Sequence, residues 1–222
     1  MPQASWLVTR GEEVLAANEP ERMYQSASMI KTFLLAAVLD EGGDLRAEVE
    51  VRERADGDGV LKLLDLPVRR PMKELLSLMI AVSDNTATRA VLHGYGGAER
   101  LNGWLEREGY ASRWHGGPPW GMGATSAAEH ERVVRALPPA GVEILLQQQD
   151  RRSLARTLDE DVPFAHKTGT IDRVRHDGGV LLGEAPLFVH AFTDGGPVKE
   201  WVDHPACVAM GAAMARTLEH LT

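Results

Sequence analysis

The sequence predicts an α+β fold: an antiparallel sheet of about five strands drawn from both chain ends and packed with helices, plus an inserted all-helical lobe. Three observations lead there. Strand patterns open the chain and return between Phe164 and Phe192, helical periodicity fills the middle, and short turns join successive strands. At 222 residues the chain suits one domain, 1–222, with a sizeable core, and is too short for two independent enzymes. The expected lobes are 1–43 with 151–222, and a mainly helical 44–150.

Trp6-Leu7-Val8 and Val14-Leu15-Ala16 flank the turn Arg10-Gly11-Glu12 and read as a hairpin. A helix is expected from about Ser28 to Glu41, with Ser26 before it, Gly42-Gly43 after it, and Ile30, Leu34, Ala37 and Val38 on one face. Asp44 to Arg70 is polar and irregular, turning at Asp56-Gly57-Asp58-Gly59, and reads as a connecting excursion. Pro71 precedes a second helix through Leu75, Leu76, Met79, Ile80 and Val82, and a third runs from after Asn85 to about His93. Gly97 to Glu108 carries Leu101, Trp104 and Leu105 at helical spacing, and Ser126-Ala127-Ala128-Glu129 is a capping box opening another helix. Phe164–Thr170, Val174–Leu182 and Leu187–Phe192 read as three strands joined at Asp172-Arg173 and Gly183-Glu184-Ala185-Pro186. A closing helix after Pro205 carries Val208, Ala212, Ala215 and Leu218.

A net charge of -8 without any basic cluster argues against nucleic acid as a partner. The one cysteine, Cys207, has no internal partner, which fits a reducing compartment and a small packed side chain. Met1 to Trp6 shows no charged segment followed by an apolar run, and the longest apolar stretch, around Phe33 to Leu39, is far shorter than the roughly 20 residues that span a bilayer. The expectation is a cytoplasmic protein with no membrane partner. No histidine pair has metal-ligand spacing, so no metal or other cofactor is expected. Oligomeric state is not legible.

Three short strings carry the chemistry. In Ser28-Met29-Ile30-Lys31 the serine and lysine are one helical turn apart, so a lysine with a lowered pKa could take the serine's proton and make it a nucleophile. In Ser83-Asp84-Asn85, at a junction between helices, all three residues are good caps, and Ser83 and Asn85 could equally face a cleft while Asp84 points away and holds the turn. Lys167-Thr168-Gly169 lies in a strand, with Lys167 and Gly169 on one face and Thr168 on the other; His166 is expected to face away from the lysine.

This ordered set resembles the signature of the serine β-lactamase and penicillin-binding protein superfamily, nearest to class A. The resemblance covers nearly the whole chain. It implies an acyl-enzyme on Ser28, with Lys31 as base and Ser83 passing a proton to the leaving group. It further implies that Asn85 bonds the acyl amide of the substrate and that Lys167 and Thr168 hold its carboxylate. Gly169 would stay small to admit ligand to the strand edge, and the N–H groups of Ser28 and Thr170 would form an oxyanion hole. Arg175 matches an arginine that helps with the carboxylate, although a plain salt bridge explains it equally well.

One departure limits what the resemblance implies. Class A enzymes carry between the second and third strings a glutamate that activates the deacylating water, and this chain has no Asp or Glu from Gly109 through Ala128. Only His115, in Ser112-Arg113-Trp114-His115-Gly116-Gly117-Pro118-Pro119-Trp120-Gly121, offers a titratable base there. The expected substrate is a small-molecule or peptide lactam, amide or ester, with lactam turnover in doubt. A penicillin-binding or sensor-like module that stays acylated, or a D-Ala-D-Ala-type peptidase or esterase, is the alternative.

Overall fold

A computed structural model describes residues 3–115, 123–171 and 174–194. The Gly116–Gly121 part of the His115 segment, the Asp172-Arg173 turn, the closing helix and Cys207 lie outside the described residues.

In chain order the strands β1 (Gln3–Arg10), β2 (Glu13–Asn18) and β3 (Tyr24–Gln25) lead into a 3-10 turn, Ala27–Met29, and helix α1 (Ile30–Asp40). Then come β4 (Glu48–Val51), β5 (Val68–Pro71), α2 (Met72–Ala81), α3 (Asn85–Tyr95) and α4 (Ala98–Arg107). The short strands β6 (Arg113–Trp114) and β7 (Gly123–Thr125) precede α5 (Ala127–Ala136) and α6 (Pro139–Leu145). A 3-10 turn at Leu154–Thr157 leads to β8 (Phe164–Ile171), β9 (Val174–Leu181) and β10 (Leu187–Asp194).

The main sheet is antiparallel with strand order β2-β1-β10-β9-β8, so the two chain ends do pair: Trp6 lies opposite Ala191 and Leu7 opposite His190. Among the described residues β8 is an edge strand, hydrogen-bonded on one side only, to β9. The inserted stretch is mainly helical, yet it also carries the pair β4–β5 and the small sheet β3-β7-β6. These additions are two to four residues long, too short for alternation to stand out from polar loop.

Helix α1 is the centre of the helical layer. Every residue from Ile30 to Val38 is buried, polar Lys31 and Thr32 included, and the helix packs against α2, α3, α4, α5 and α6. A helix that is apolar on nearly all sides belongs inside, so a lysine there must be matched by its surroundings. Phe33, Leu34, Leu35, Leu75, Leu76, Met79, Ile80 and Leu101 form the fully buried core around it. Ser126 caps α5 by accepting from the Glu129 N–H. The Glu129 carboxylate, however, turns to the N–H groups of Ala111 and Ser112, tying the chain before β6 to α5 instead of closing the box. Among the described residues no helix is long and apolar enough to cross a membrane.

Candidate active site

The 3-10 turn that precedes α1 presents Ser28 at the N-terminal end of that helix. Its approach is strained: Ala27 has φ of 47°, and Ser83 across the cleft has φ of 55°. Left-handed backbone at a residue other than glycine costs about 1–3 kcal/mol and persists where surrounding structure enforces it, commonly at functional sites. Ala27 carries no sequence signal of this. What enforces it is β8: a Cβ at Gly169 would come within 2.9 Å of Met29 Cγ, 3.1 Å of Met29 N and 3.2 Å of the Ala27 Cβ. Gly169 is therefore small so that the edge strand can lie against the Ser28 turn.

The three strings meet. Ser83 Oγ donates to Ser28 Oγ at 2.8 Å. Lys31 Nζ donates to the Ser83 carbonyl at 2.7 Å, to Ser83 Oγ at 3.0 Å and to Asn85 Oδ1 at 2.7 Å. From the other side Lys167 Nζ reaches Ser83 Oγ at 3.2 Å and the Thr168 carbonyl at 2.8 Å. Two ammonium groups thus share one hydroxyl in a site where Lys31 and Lys167 are 3% and 0% exposed. Burial, and then the charge of Lys167, push the Lys31 pKa well below its ordinary value, against the pull of Asp58 and Asp84. Burial likewise lowers Lys167 to about 8, with Asp150, Asp177 and Asp58 holding it up. Lys31 is the group poised to be neutral and basic.

Asp84 points away from the cleft, as expected of the middle residue. It is fully buried, caps α3 at the Ala87 N–H (2.8 Å), and also accepts from Val60 N at 2.6 Å and Leu61 N at 2.8 Å. The excursion before β5 is thereby pinned over the junction. Asn85 is committed within the protein: besides holding Lys31, its Nδ2 donates to the Asp56 carbonyl at 2.9 Å, and it does not line the cleft. That bond uses one of the two Nδ2 hydrogens.

The cleft beside Ser28 has a volume of about 620 Å³, within the range of small-molecule sites. Ser28, Ser83, Thr168, Thr170 and Arg175 line it, joined by Asp58, Gly59 and the wall Gln148, Gln149, Asp150 and Arg152. Lys167 lies beneath its surface. Arg175 is 3% exposed and held three ways, by Ser153 Oγ at 2.6 Å, Thr170 Oγ1 at 2.8 Å and Asp150 Oδ2 at 3.2 Å. It is both a cleft residue and a salt-bridged one. Burial works against the Asp150 charge, but Arg152 and Arg175 hold its pKa down at about 2. Asp58, Asp150 and Arg152 belong to no motif, and only chain folding brings them here.

His115 is exposed and does not line the cleft. His166 is fully buried on the far side from Lys167, its Nδ1 2.8 Å from Asp177 Oδ1 and its ring stacked on Phe164. Among the described residues no group of three His, Cys, Asp or Glu side chains is arranged to hold a metal ion.

Solved structures share this architecture. PBP-A, known also as a mutant in an acyl-enzyme complex with penicillin G, superposes with a TM-score of 0.85 over 99% of this chain and 91% of its own, at 21% identity. A β-lactamase from Sphaerobacter thermophilus DSM 20745 gives 0.83 over 98% and 92% at 22% identity, and an ancestral class A β-lactamase 0.81 over 97% and 94% at 21%. At such identities the likeness speaks for the fold. No curated protein matches the sequence. The sequence pattern of the beta-lactamase enzyme family, however, is matched by residues 4–221, and the chain therefore belongs to that family of serine hydrolases.

Proposed function

We propose that this enzyme cleaves a lactam, amide or ester through an acyl-enzyme on Ser28, with residues 1–222 acting as one catalytic unit. The observation that carries the reading is the Ser28–Ser83–Lys31 chain of contacts at 2.8 and 3.0 Å. Ser28 Oγ attacks the carbonyl carbon while its proton moves to Ser83 Oγ and the Ser83 proton moves to neutral Lys31. The oxyanion is held by the N–H groups of Ser28 and Thr170. On collapse the C–N or C–O bond breaks, Ser83 gives its proton to the leaving group, and Lys31 returns the proton it took to Ser83. Water then cleaves the acyl ester, releasing an acid and restoring Ser28. Thr168, Thr170 and Arg175 receive a substrate carboxylate, with Lys167 lending its charge from below and Asn85 holding Lys31 in place.

With no carboxylate between Gly109 and Ala128, deacylation of lactams is the slow step. That same absence favours a second reading, a penicillin-binding or sensor-like site that acylates and stays acylated. Intact mass after incubation with a fluorescent penicillin, followed over hours, separates the two: an adduct that clears supports hydrolysis, and a lasting one supports the second reading. Ser28→Ala should abolish the adduct with the fold intact, and the same adduct in that variant would sink the assignment.

A further inference from the structure

The edge strand is not the sole support of the strained turn at Ala27. On one side the Ser26 N–H donates to the Gly123 carbonyl at 2.8 Å. From the main sheet, His176 Nε2 donates to the Gln25 carbonyl at 2.8 Å, two residues before Ala27. His176 stands in a row across three strands, opposite Gly169 of β8 and Phe192 of β10. Residues paired in this way project to one face of a sheet, and it is the face on which a Cβ at Gly169 would meet Ala27 and Met29. The imidazole and the Ser28 turn therefore share that face.

Every part of this ring is committed. It is fully buried, stacked on Phe192 with centroids 4.4 Å apart and planes 24° from parallel, and the Tyr24 ring meets it edge-on at 5.7 Å. The Thr193 N–H donates to its Nδ1 at 3.2 Å. A ring nitrogen that accepts carries no proton, so in the neutral imidazole Nε2 holds the only one, and the Gln25 carbonyl receives it. Burial lowers the His176 pKa to about 4, so the ring stays neutral through the ordinary working range.

Resting on the Ser28 acyl-enzyme reading, we infer that His176 is a positioning residue for acyl transfer: its Nε2–H holds the Gln25 carbonyl and so sets where the N–H and Oγ of Ser28 stand. It touches neither substrate nor nucleophile. Its neighbour Arg175, in the cleft wall, projects to the opposite face of β9, so the effect falls on the rate of acylation and not on carboxylate binding. A misplacement of about 1 Å at a reacting group can cost on the order of a hundredfold in rate, which is what a loosened turn would bring.

Two replacements separate the hydrogen bond from the packing. His176→Gln can put an amide N–H where Nε2 stood, whereas His176→Asn reaches only as far as Nδ1 and can accept from Thr193 without reaching Gln25. Both lose the stack on Phe192, so both should lower Tm alike. Labelling of Ser28 by a fluorophosphonate should nevertheless fall about tenfold or more in His176→Asn and stay within about threefold of the unmodified enzyme in His176→Gln. With a carboxylate-bearing lactam, the loss in His176→Asn should sit in the acylation rate constant and leave the apparent binding constant unchanged. Equal losses in the two variants, or undiminished labelling in His176→Asn, would overturn the positioning role. The imidazole nitrogen chemical shifts of the unmodified enzyme give a readout that needs no variant: they should show the neutral Nε2–H tautomer between about pH 6 and 8, and an Nδ1–H or doubly protonated ring would overturn the role as well. Failure of the fluorophosphonate to label the unmodified enzyme is a different result, and it would overturn the Ser28 reading itself.

Discussion

Ser83 Oγ stands 2.8 Å from Ser28 Oγ while taking hydrogen bonds from two buried lysines, Lys31 at 3.0 Å and Lys167 at 3.2 Å. The arrangement divides labour by pKa. Two ammonium groups so near one hydroxyl repel each other, and burial penalises both, so one gives up its proton first. Lys31, in contact with Ser83 and Asn85 and buried in the helical layer, is that one. Lys167, supported by three carboxylates, keeps its charge to about pH 8 and is left to attract an anion.

That division predicts a pH profile. Acylation by a carboxylate-bearing lactam should fall above about pH 8, approaching tenfold per unit as Lys167 loses its proton. A neutral ester, which does not need that charge, should lack the falling limb. The Lys167 pKa is lower in the folded state than its ordinary 10.5, so the unfolded chain binds the proton more tightly. This lysine therefore costs stability below about pH 8, and the cost is relieved between there and 10.5. Lys167→Met should raise Tm at pH 7 and raise it less at pH 10. Stopped-flow acylation and thermal melts across pH 6–10 check both, and an identical falling limb for the ester would remove Lys167 from carboxylate binding.

Gly169 links the edge strand to the nucleophile through packing. Gly169→Ala places a methyl within 3.2 Å of Ala27 and closer still to Met29, so the strained turn must shift. Overpacking of this kind costs about 1–3 kcal/mol. The expected result is a lower Tm together with at least a tenfold loss in Ser28 labelling by fluorophosphonate, partly restored when Met29→Ala is added. Unchanged labelling would show that the turn tolerates the displacement.

The hairpin, helices α1 to α5 and the three late strands were legible because each is long enough for its periodicity to repeat and is bounded by Gly, Pro or a cap. Helix α6, seven residues long, and the strands β3 to β7 were not. The site divides the same way. Ser28, Lys31, Ser83 and Lys167 announce themselves because each belongs to a contiguous string whose spacing already implies a shared face. Asp58 and Asp150 are single acidic residues in polar stretches, and they reach the cleft only through contacts set by tertiary packing. The bond from Asn85 to Asp56 was hidden for the same reason: nothing local says that a loop almost thirty residues earlier packs beside it.

Asp84 joins that loop to the site, and removing its carboxylate tests the join. Asp84→Ala deletes a helix cap worth about 0.5–2 kcal/mol and orphans the N–H groups of Val60 and Leu61, each at about 1–3 kcal/mol where buried. A drop of several kcal/mol in stability is expected, with hydrogen exchange at Val60 and Leu61 accelerated more than at distant Leu101. Uniform acceleration would mean that the loop has no separate dependence on Asp84.

Three buried histidines set a limit on the acid side. His130 Nδ1 lies 3.0 Å from His190 Nδ1, its Nε2 lies 3.1 Å from Thr32 Oγ1, and His176 Nε2 donates to the Gln25 carbonyl at 2.8 Å. All three are fully buried. Two facing ring nitrogens share one proton, so adding a second sets charge against charge. Burial lowers His130 to about 3 and His176 to about 4, and it pushes His190 well below its ordinary range. Histidines of the unfolded chain take up protons near 6.5, whereas the folded ones do not until about pH 4 or lower. Between those values the unfolded state binds more protons, and stability falls with falling pH by about 1.4 kcal/mol per unit for each histidine. Against a typical margin of about 5–15 kcal/mol, the enzyme should unfold reversibly well above the pKa of its paired carboxylates. His190→Gln keeps a partner for His130 and removes one titrating ring, so its Tm should decline less steeply between pH 6.5 and 4.5. Thr32, which carries the His130 contact, follows Lys31 directly on α1, so Ser28 labelling should be lost with the same midpoint as the melt. A variant that keeps the parent slope would place the acid limit elsewhere.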